Sequence, residues 1–164
     1  MKMLMGALCL MLSVWSGNQV FAQEKENSFN KKDFYAAMAG NNEAAVDNQL
    51  ALLKTVAVKD KDAFEGTLLM KKAGIGGGPK KKLNLFKAGH KKLEGVLEKD
   101  SLNPEYRFLR LMIQEHAPGI LGYKGELEKD SQFISENFKK MPPVVQQAVK
   151  DYSKNSKFLK SSNL

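Results

Sequence analysis

The residues that could do chemistry in this sequence are concentrated in a stretch that is rich in lysine and contains no acid. Between Glu65 and Glu94 lie 28 residues without an aspartate or a glutamate. A glycine-rich stretch, residues 74–78, leads into a predicted helix start, where exposed N–H groups and the helix dipole favour anions. We therefore predict an anion-binding surface formed by Lys71, Lys72, Lys80, Lys81, Lys82, Lys87 and Lys91. The alternative, which the sequence favours, is that these lysines only form a solvated helix surface.

The same stretch does not fit two common classes of anion-binding site. The phosphate-binding loop of nucleotide hydrolases needs a glycine five residues after Gly74, and the sequence has Pro79 there. The one aromatic residue of the stretch, Phe86, belongs to the apolar stripe of its helix, so no stacking platform for bases is predicted. The pattern argues against nucleic-acid binding and leaves anionic glycans or lipid surfaces as candidate partners.

Arginine is rare in this chain, and its placement is a second chemical signal. Of 26 basic residues only Arg107 and Arg110 are arginines, and both lie on the strongly hydrophobic fifth predicted helix. The planar guanidinium suits partly buried, bidentate contacts with carboxylates or phosphates. The two arginines could bind such a group on a ligand, or pair internally with an acid near the preceding turn, such as Glu98 or Asp100. The sequence favours the internal pair.

No residue pattern predicts catalysis, a metal site or a cofactor. His90 and Glu94 are one helical turn apart, but a zinc site would need a third protein ligand. Three acids, Glu126, Glu128 and Asp130, are interpreted as solvated residues in the first turn of a helix, where negative charge is stabilising. The sequence therefore favours a protein that is not an enzyme. A small hydrolase with acids that cannot be identified from the sequence remains an alternative.

The N-terminal 22 residues have the pattern of a secretory signal peptide. A short positive start is followed by an apolar run over residues 4–15, and Val20 and Ala22 precede a cleavage site before Gln23. We expect a secreted or periplasmic protein with no transmembrane span. The only cysteine, Cys9, lies within the signal, so the mature chain is predicted to be free of cysteine.

The formal net charge of the full chain is +8, and removal of Lys2 with the signal lowers it to +7. A basic chain favours anionic partners, although the same charge could serve solubility alone.

The periodicity of apolar residues is helical throughout and predicts an all-α fold. We expect about six or seven helices in antiparallel αα-hairpins, because the turns between them are short. Residues 23–29 are predicted to be disordered, residues 30–153 to form a single helical domain, and residues 154–164 to form a polar, frayed tail.

Local signals place the helix starts and the buried faces. Asn30 and Asp60 are predicted N-caps, and Pro104 is predicted in the first turn of the fifth helix. The third helix is expected to end at Lys72. The second and fourth helices are expected to bury the apolar stripes Val46, Leu50, Leu53 and Ala57, and Leu83, Phe86, Leu93 and Leu97.

Residues 83–111 resemble the junction between two tetratricopeptide-type repeats. In that resemblance Gly89 is the small contact position, Leu93 and Leu97 are the large ones, and residues 100–104 form the turn. The resemblance implies a stack of helical hairpins that binds a protein or peptide partner, with an irregular helical bundle as the alternative architecture. A secreted or periplasmic interaction module is the leading hypothesis, and a binder of anionic surfaces through the lysines is the second.

Overall fold

The computed structural model describes residues 28–55 and 57–164, and every regular element in these ranges is helical. The predicted signal peptide, residues 1–22, and residues 23–27 lie outside the described residues. The α-helices are α1 (Lys31–Ala39), α2 (Glu43–Thr55), α3 (Lys61–Ile75), α4 (Pro79–Lys99), α5 (Pro104–His116), α6 (Leu127–Asn137) and α7 (Pro143–Ser153). Short 3-10 turns lie at Gly119–Leu121, Phe138–Lys140 and Ser161–Asn163. The predicted all-α fold is confirmed. Among the described helices, none has the length and apolar composition that a membrane span requires.

Most of the predicted helix starts are confirmed by their capping contacts. The side chain of Asn30 accepts a hydrogen bond from the N–H of Asp33 at 2.9 Å, and Pro104 occupies the first turn of α5. The prediction that the side chain of Asp60 caps α3 is wrong. This residue precedes α3, but it has a left-handed φ of 66° and its side chain makes no capping bond.

The helix ends and the apolar stripes depart from the sequence prediction in two places. Helix α3 continues past Lys72 to Ile75, because Gly74 is accommodated inside the helix and the chain turns only over residues 76–78. In α2, Val46 and Leu53 are buried, whereas Ala57 is exposed because the helix has already ended at Thr55.

Two glycines allow α3 and α4 to pack backbone against backbone. A Cβ atom placed on Gly89 would lie 2.4 Å from the carbonyl oxygen of Gly66, and one placed on Gly66 would lie 2.7 Å from the carbonyl oxygen of Gly89. Contacts this close mean that a side chain at either position would force the two helices to shift apart. The position of Gly89 in the middle of α4 therefore fixes where the two antiparallel helices cross.

Helix α5 lies at the centre of the core and contacts α3, α4 and α6. Phe108, Leu109 and Leu111 are fully buried, as the hydrophobic character of this segment predicts. Helix α1 packs against α7, so the first and the last of the described α-helices are in contact. The arrangement is therefore a closed, irregular bundle around α5.

The C-terminal tail predicted to be frayed instead packs onto this bundle, and so does Phe29, one of the two described residues of the segment 23–29. Leu159 has no exposed surface, and the hydroxyl of Ser131 donates to the carbonyl oxygen of Phe158 at 2.7 Å. The prediction of a frayed tail is wrong because the apolar residues 158–159 interrupt its lysines and enter the core. At the other end, the ring of Phe29 lies 5.1 Å from that of Phe64, so order begins before Asn30.

Candidate functional site

The lysines predicted to form one anion-binding surface divide into two groups in the structure. The first group is Lys71 and Lys72 on α3, whose side chains reach towards α2 and the turn before it. Lys72 forms a salt bridge with Asp47 and lies 3.8 Å from a carboxylate oxygen of Glu43. Lys71 donates to the side chain of Asn41 at 3.4 Å, and burial lowers the pKa of its ammonium group. These two lysines hold α3 against its neighbours.

Lys92 shows that a stretch without acids in the sequence need not be free of acids in space. Its ammonium group lies 2.7 Å from Asp62 and 3.4 Å from Glu65, both on α3. The hydrogen bond that Lys92 donates to Asp62 outweighs partial burial and raises the pKa of Lys92. The antiparallel packing of α3 on α4 brings these acids to the lysine, which the sequence window could not reveal.

The second group lies on the N-terminal half of α4, and we call residues 80–91 the basic segment. Its five lysines form no ion pair with any described residue: Lys80, Lys81, Lys82, Lys87 and Lys91. All are exposed except Lys82, which is half-buried. The first turn of α4 contains no acid, so its lysines face the positive end of the helix dipole without compensation.

The apolar stripe of α4 is buried only in its C-terminal half. Leu93 and Leu97 are buried as predicted, but Leu83 is 43 % exposed and Phe86 is half-buried. The prediction for Leu83 is wrong, because no residue of α4 before Gly89 is fully buried. Gly89 is the first buried residue of the helix. The basic segment is therefore a regular helix that the bundle covers incompletely.

The glycine-rich turn offers a less open site for an anion than its sequence predicts. Gly74 belongs to α3, and the N–H of Gly76 donates to the carbonyl oxygen of Lys72 at 3.2 Å. A Cβ atom on Gly76 would lie 2.6 Å from a carboxylate oxygen of Glu43, so an anionic group of the protein already lies beside the turn. Gly77 has a φ of 95°, a conformation that favours glycine. The glycines serve a tight connection between two helices.

The two arginines converge on one buried carboxylate. Arg107 Nη1 donates to Asp130 at 3.0 Å, and Arg110 donates to both carboxylate oxygens, from Nε at 2.7 Å and Nη2 at 2.8 Å. The side chain of Asp130 has no exposed surface. The guanidinium groups are thus paired inside the protein, but the expected partners were wrong: neither Glu98 nor Asp100 is involved, and the acid comes from α6.

The network extends from this pair to α4. Arg110 Nη1 donates to Glu94 at 3.2 Å, and the hydroxyl of Tyr123 donates to the other oxygen of Glu94. Burial alone would lower the pKa of Arg110, but the hydrogen bonds and charges of Asp130 and Glu94 raise it further than burial lowers it. A permanently charged Arg110 therefore joins α4, α5 and α6.

The interpretation of Asp130 as a solvated residue is wrong, and the sequence held a signal against it. Leu127, Asp130 and Ile134 are separated by three and four residues, so the aspartate lies on the apolar side of α6. Glu105 was missed as well. It is 8 % exposed, accepts from the hydroxyl of Tyr35 at 2.9 Å and pairs with Lys31. Both buried acids are engaged by cations of the protein.

Each histidine lies against a tyrosine in the part of the chain that the structure describes. No group of three histidine, cysteine, aspartate or glutamate side chains there is arranged to hold a metal ion. The ring of His90 packs 4.7 Å from that of Tyr123, and His116 lies 3.5 Å from the hydroxyl of Tyr152. That hydroxyl donates to Glu115 at 2.8 Å. Glu115 also accepts from Ser156 and from the N–H of Lys157, so it anchors the C-terminal segment.

The basic segment and the arginine network thus differ in what they can bind. The arginines are 12–17 % exposed and hold protein carboxylates, whereas the lysines of the basic segment face outwards. Comparison of the chain with protein-family models, with curated proteins and with solved structures gave no match.

Proposed function

We propose that this protein binds an anionic surface through the basic segment of α4. The observation that carries the proposal is the contrast between two sets of lysines on one helical hairpin. Lys72 and Lys92 are neutralised by acids of the protein, whereas the lysines of residues 80–91 have no acidic partner among the described residues. Three of them crowd a helix N-terminus, where each positive charge costs about 0.3–1 kcal/mol. An anionic partner would remove this unfavourable interaction.

The arrangement of the lysines supports a surface as the partner. Lys80, Lys87 and Lys91 are separated by seven and four residues, so they share one side of α4. Helical geometry spreads their Cα atoms over about 16 Å, at about 1.5 Å per residue. This distance exceeds the screening length of about 8 Å at physiological salt, so an extended polyanion or lipid surface would engage more of the lysines than a single small anion.

Binding to anionic vesicles or to a sulfated glycan, measured as a function of salt, tests the proposal. The variant Lys80→Gln, Lys87→Gln, Lys91→Gln should bind about 100-fold more weakly at low salt, since each lysine near an anionic surface contributes about 1 kcal/mol. The matched control replaces Lys54, Lys99 and Lys139, which are exposed and form no ion pair with a described residue. Both variants lose three charges, so equal losses would reduce the effect to general basicity and contradict the proposal.

The leading hypothesis from the sequence, a module that binds a protein or peptide, remains a second proposal. It would take precedence if the wild-type protein bound neither vesicles nor glycan at low salt. The hydrolase alternative gains no candidate acid from the described residues, because the buried acids Asp130 and Glu105 are held by cations.

Export is part of the proposal and rests on the sequence pattern alone. Cleavage before Gln23 would place the basic segment in the periplasm or outside the cell, where lipid surfaces and glycans are available. The intact mass of the exported protein checks this, and a mass that retains residues 1–22 would contradict it.

A further inference from the structure

An isoleucine in the connection between α5 and α6 is almost fully exposed. Ile120 lies in the 3-10 turn Gly119–Leu121, and the residue is 96 % exposed. The turn is closed by the N–H of Leu121, which donates to Pro118 at 3.0 Å, and by Gly122, which has a left-handed φ of 63°. Ile120 is therefore held outwards by a tight turn, with its neighbour Leu121 packed against the core.

The chain directly after this turn packs on the basic segment of α4. Tyr123, three residues after Ile120, packs its ring 5.6 Å from that of Phe86 and 4.7 Å from that of His90, and its hydroxyl donates to Glu94. Helical spacing places the partly exposed Leu83 on the same side of α4 as Phe86 and His90. Exposed apolar residues and unpaired lysines thus occur together at one region of the surface.

We infer that the partner of the basic segment is an anionic lipid bilayer into which Ile120 inserts. The inference rests on the proposed function and names its partner. A bilayer offers both chemistries that this region presents: acidic headgroups for lysines, and an acyl boundary for apolar side chains. A sulfated glycan offers only the first, so it would leave Ile120 and Leu83 in water. The exposed Lys124, directly after Tyr123, adds a further positive charge beside the turn.

The test separates insertion from charge by a substitution that leaves the charge unchanged. Ile120→Ser should weaken binding to vesicles of phosphatidylcholine and phosphatidylglycerol about tenfold, because burial of a side chain of this size contributes at least that factor. Binding to a sulfated glycan should stay the same. The matched control is Leu102→Ser, since Leu102 is 71 % exposed in the turn at the opposite end of α4. Leu102→Ser should alter neither affinity, and a far-UV spectrum confirms that both variants fold.

A spectroscopic measurement checks insertion directly. Tryptophan placed by Ile120→Trp should shift its emission to the blue on addition of anionic vesicles and should be quenched by lipids that carry a quencher in the acyl chain. Leu102→Trp should show neither effect.

The outcomes distinguish this inference from the proposal beneath it. If the protein binds glycan but not vesicles, or if Ile120→Ser binds vesicles as tightly as the wild type, the insertion of Ile120 is wrong and the basic segment remains the binding site. If the triple lysine variant binds like its matched control, the proposed function fails and the inference fails with it. Weaker vesicle binding by Ile120→Ser, with glycan binding unchanged, supports both.

Discussion

Replacement of Asp130 by asparagine should destabilise the protein strongly, although the two side chains have the same shape. Oδ1 of Asp130 accepts from Arg107 and Arg110, and Oδ2 accepts from Nε of Arg110 at 2.7 Å. An asparagine oxygen could replace Oδ1, but its amide group would then face Nε, donor against donor. The variant also leaves two partly buried guanidinium groups without their main counter-charge.

The size of this effect follows from the burial of the network. Loss of one partner from a buried ion pair costs about 3–5 kcal/mol. The lower end applies here, because Arg110 keeps Glu94 and the arginines retain some contact with water. We expect Asp130→Asn to lower the free energy of unfolding by about 3 kcal/mol, which corresponds to a fall in Tm of about 10 °C.

Urea unfolding followed by circular dichroism measures this loss. Glu94→Gln should cost only about 1 kcal/mol, because the glutamine oxygen can still accept a hydrogen bond and Glu94 is 24 % exposed. Glu128→Gln, at an exposed position of the same helix as Asp130, should stay within about 0.5 kcal/mol of the wild type. The assignment of Asp130 as the centre of the network would be refuted if Asp130→Asn lowered the free energy of unfolding by less than about 1 kcal/mol. It would also be refuted if Glu94→Gln lowered it by more than Asp130→Asn does.

Three further predictions concern packing, pH and the C-terminal segment. Gly89→Ala should destabilise the fold by about 2 kcal/mol, because its Cβ would press on the backbone of α3. Gly95→Ala should stabilise the fold by about 0.8 kcal/mol, because a Cβ there would have no atom within 4 Å and alanine favours the helix. Shifts of Tm in the same direction for both variants would contradict this prediction. Burial, together with nearby carboxylates, raises the pKa of every tyrosine above its ordinary value of 10.0: Tyr35, Tyr106, Tyr123 and Tyr152. Stability should therefore be unaffected by these groups below pH 10 and should fall as the pH rises further, with tyrosinate absorbance appearing only as helicity is lost. Burial alone would raise the pKa of Glu115, but the hydrogen bonds from Lys157 N–H, Ser156 and Tyr152 lower it. These contacts therefore stabilise the fold above pH 4.5, and this stabilisation is lost as the pH falls through the lowered pKa. Glu115→Gln should expose residues 156–160 to hydrogen exchange at neutral pH, and unchanged protection there would exclude Glu115 as their anchor.

The helices of this protein could be predicted from the sequence because their signals are local. Asn30 lies three residues before the N–H group that it caps, and Pro104 acts within its own turn. The partners of charged groups depend instead on which helices meet. Asp130 is 20 residues from Arg110, and nothing near either residue specifies the pairing.

The same limit applies to the candidate site. The lysines of the basic segment were identified from the absence of nearby acids, and the structure separates them from Lys72 only through acids of α2. Leu83 continues a helical stripe that Leu93 occupies in the core, yet its exposure depends on how far the rest of the bundle covers α4, which no local pattern specifies. Ile120 carries no periodic signal, since a single apolar residue in a turn is equally compatible with burial.

The close crossing of α3 and α4 at Gly66 and Gly89 has a consequence for the energetics of association. Fixing the backbone of one residue costs about 1–2 kcal/mol in conformational entropy, and a flexible lysine-rich tail would lose that freedom when it binds. The basic segment is already ordered in the folded protein, because its helix packs backbone against backbone on α3. Its lysines would therefore meet the proposed anionic partner at fixed spacing, and only their side chains would lose freedom on contact. A protein with few strong contacts can in this way bind more tightly than its small number of charges would suggest.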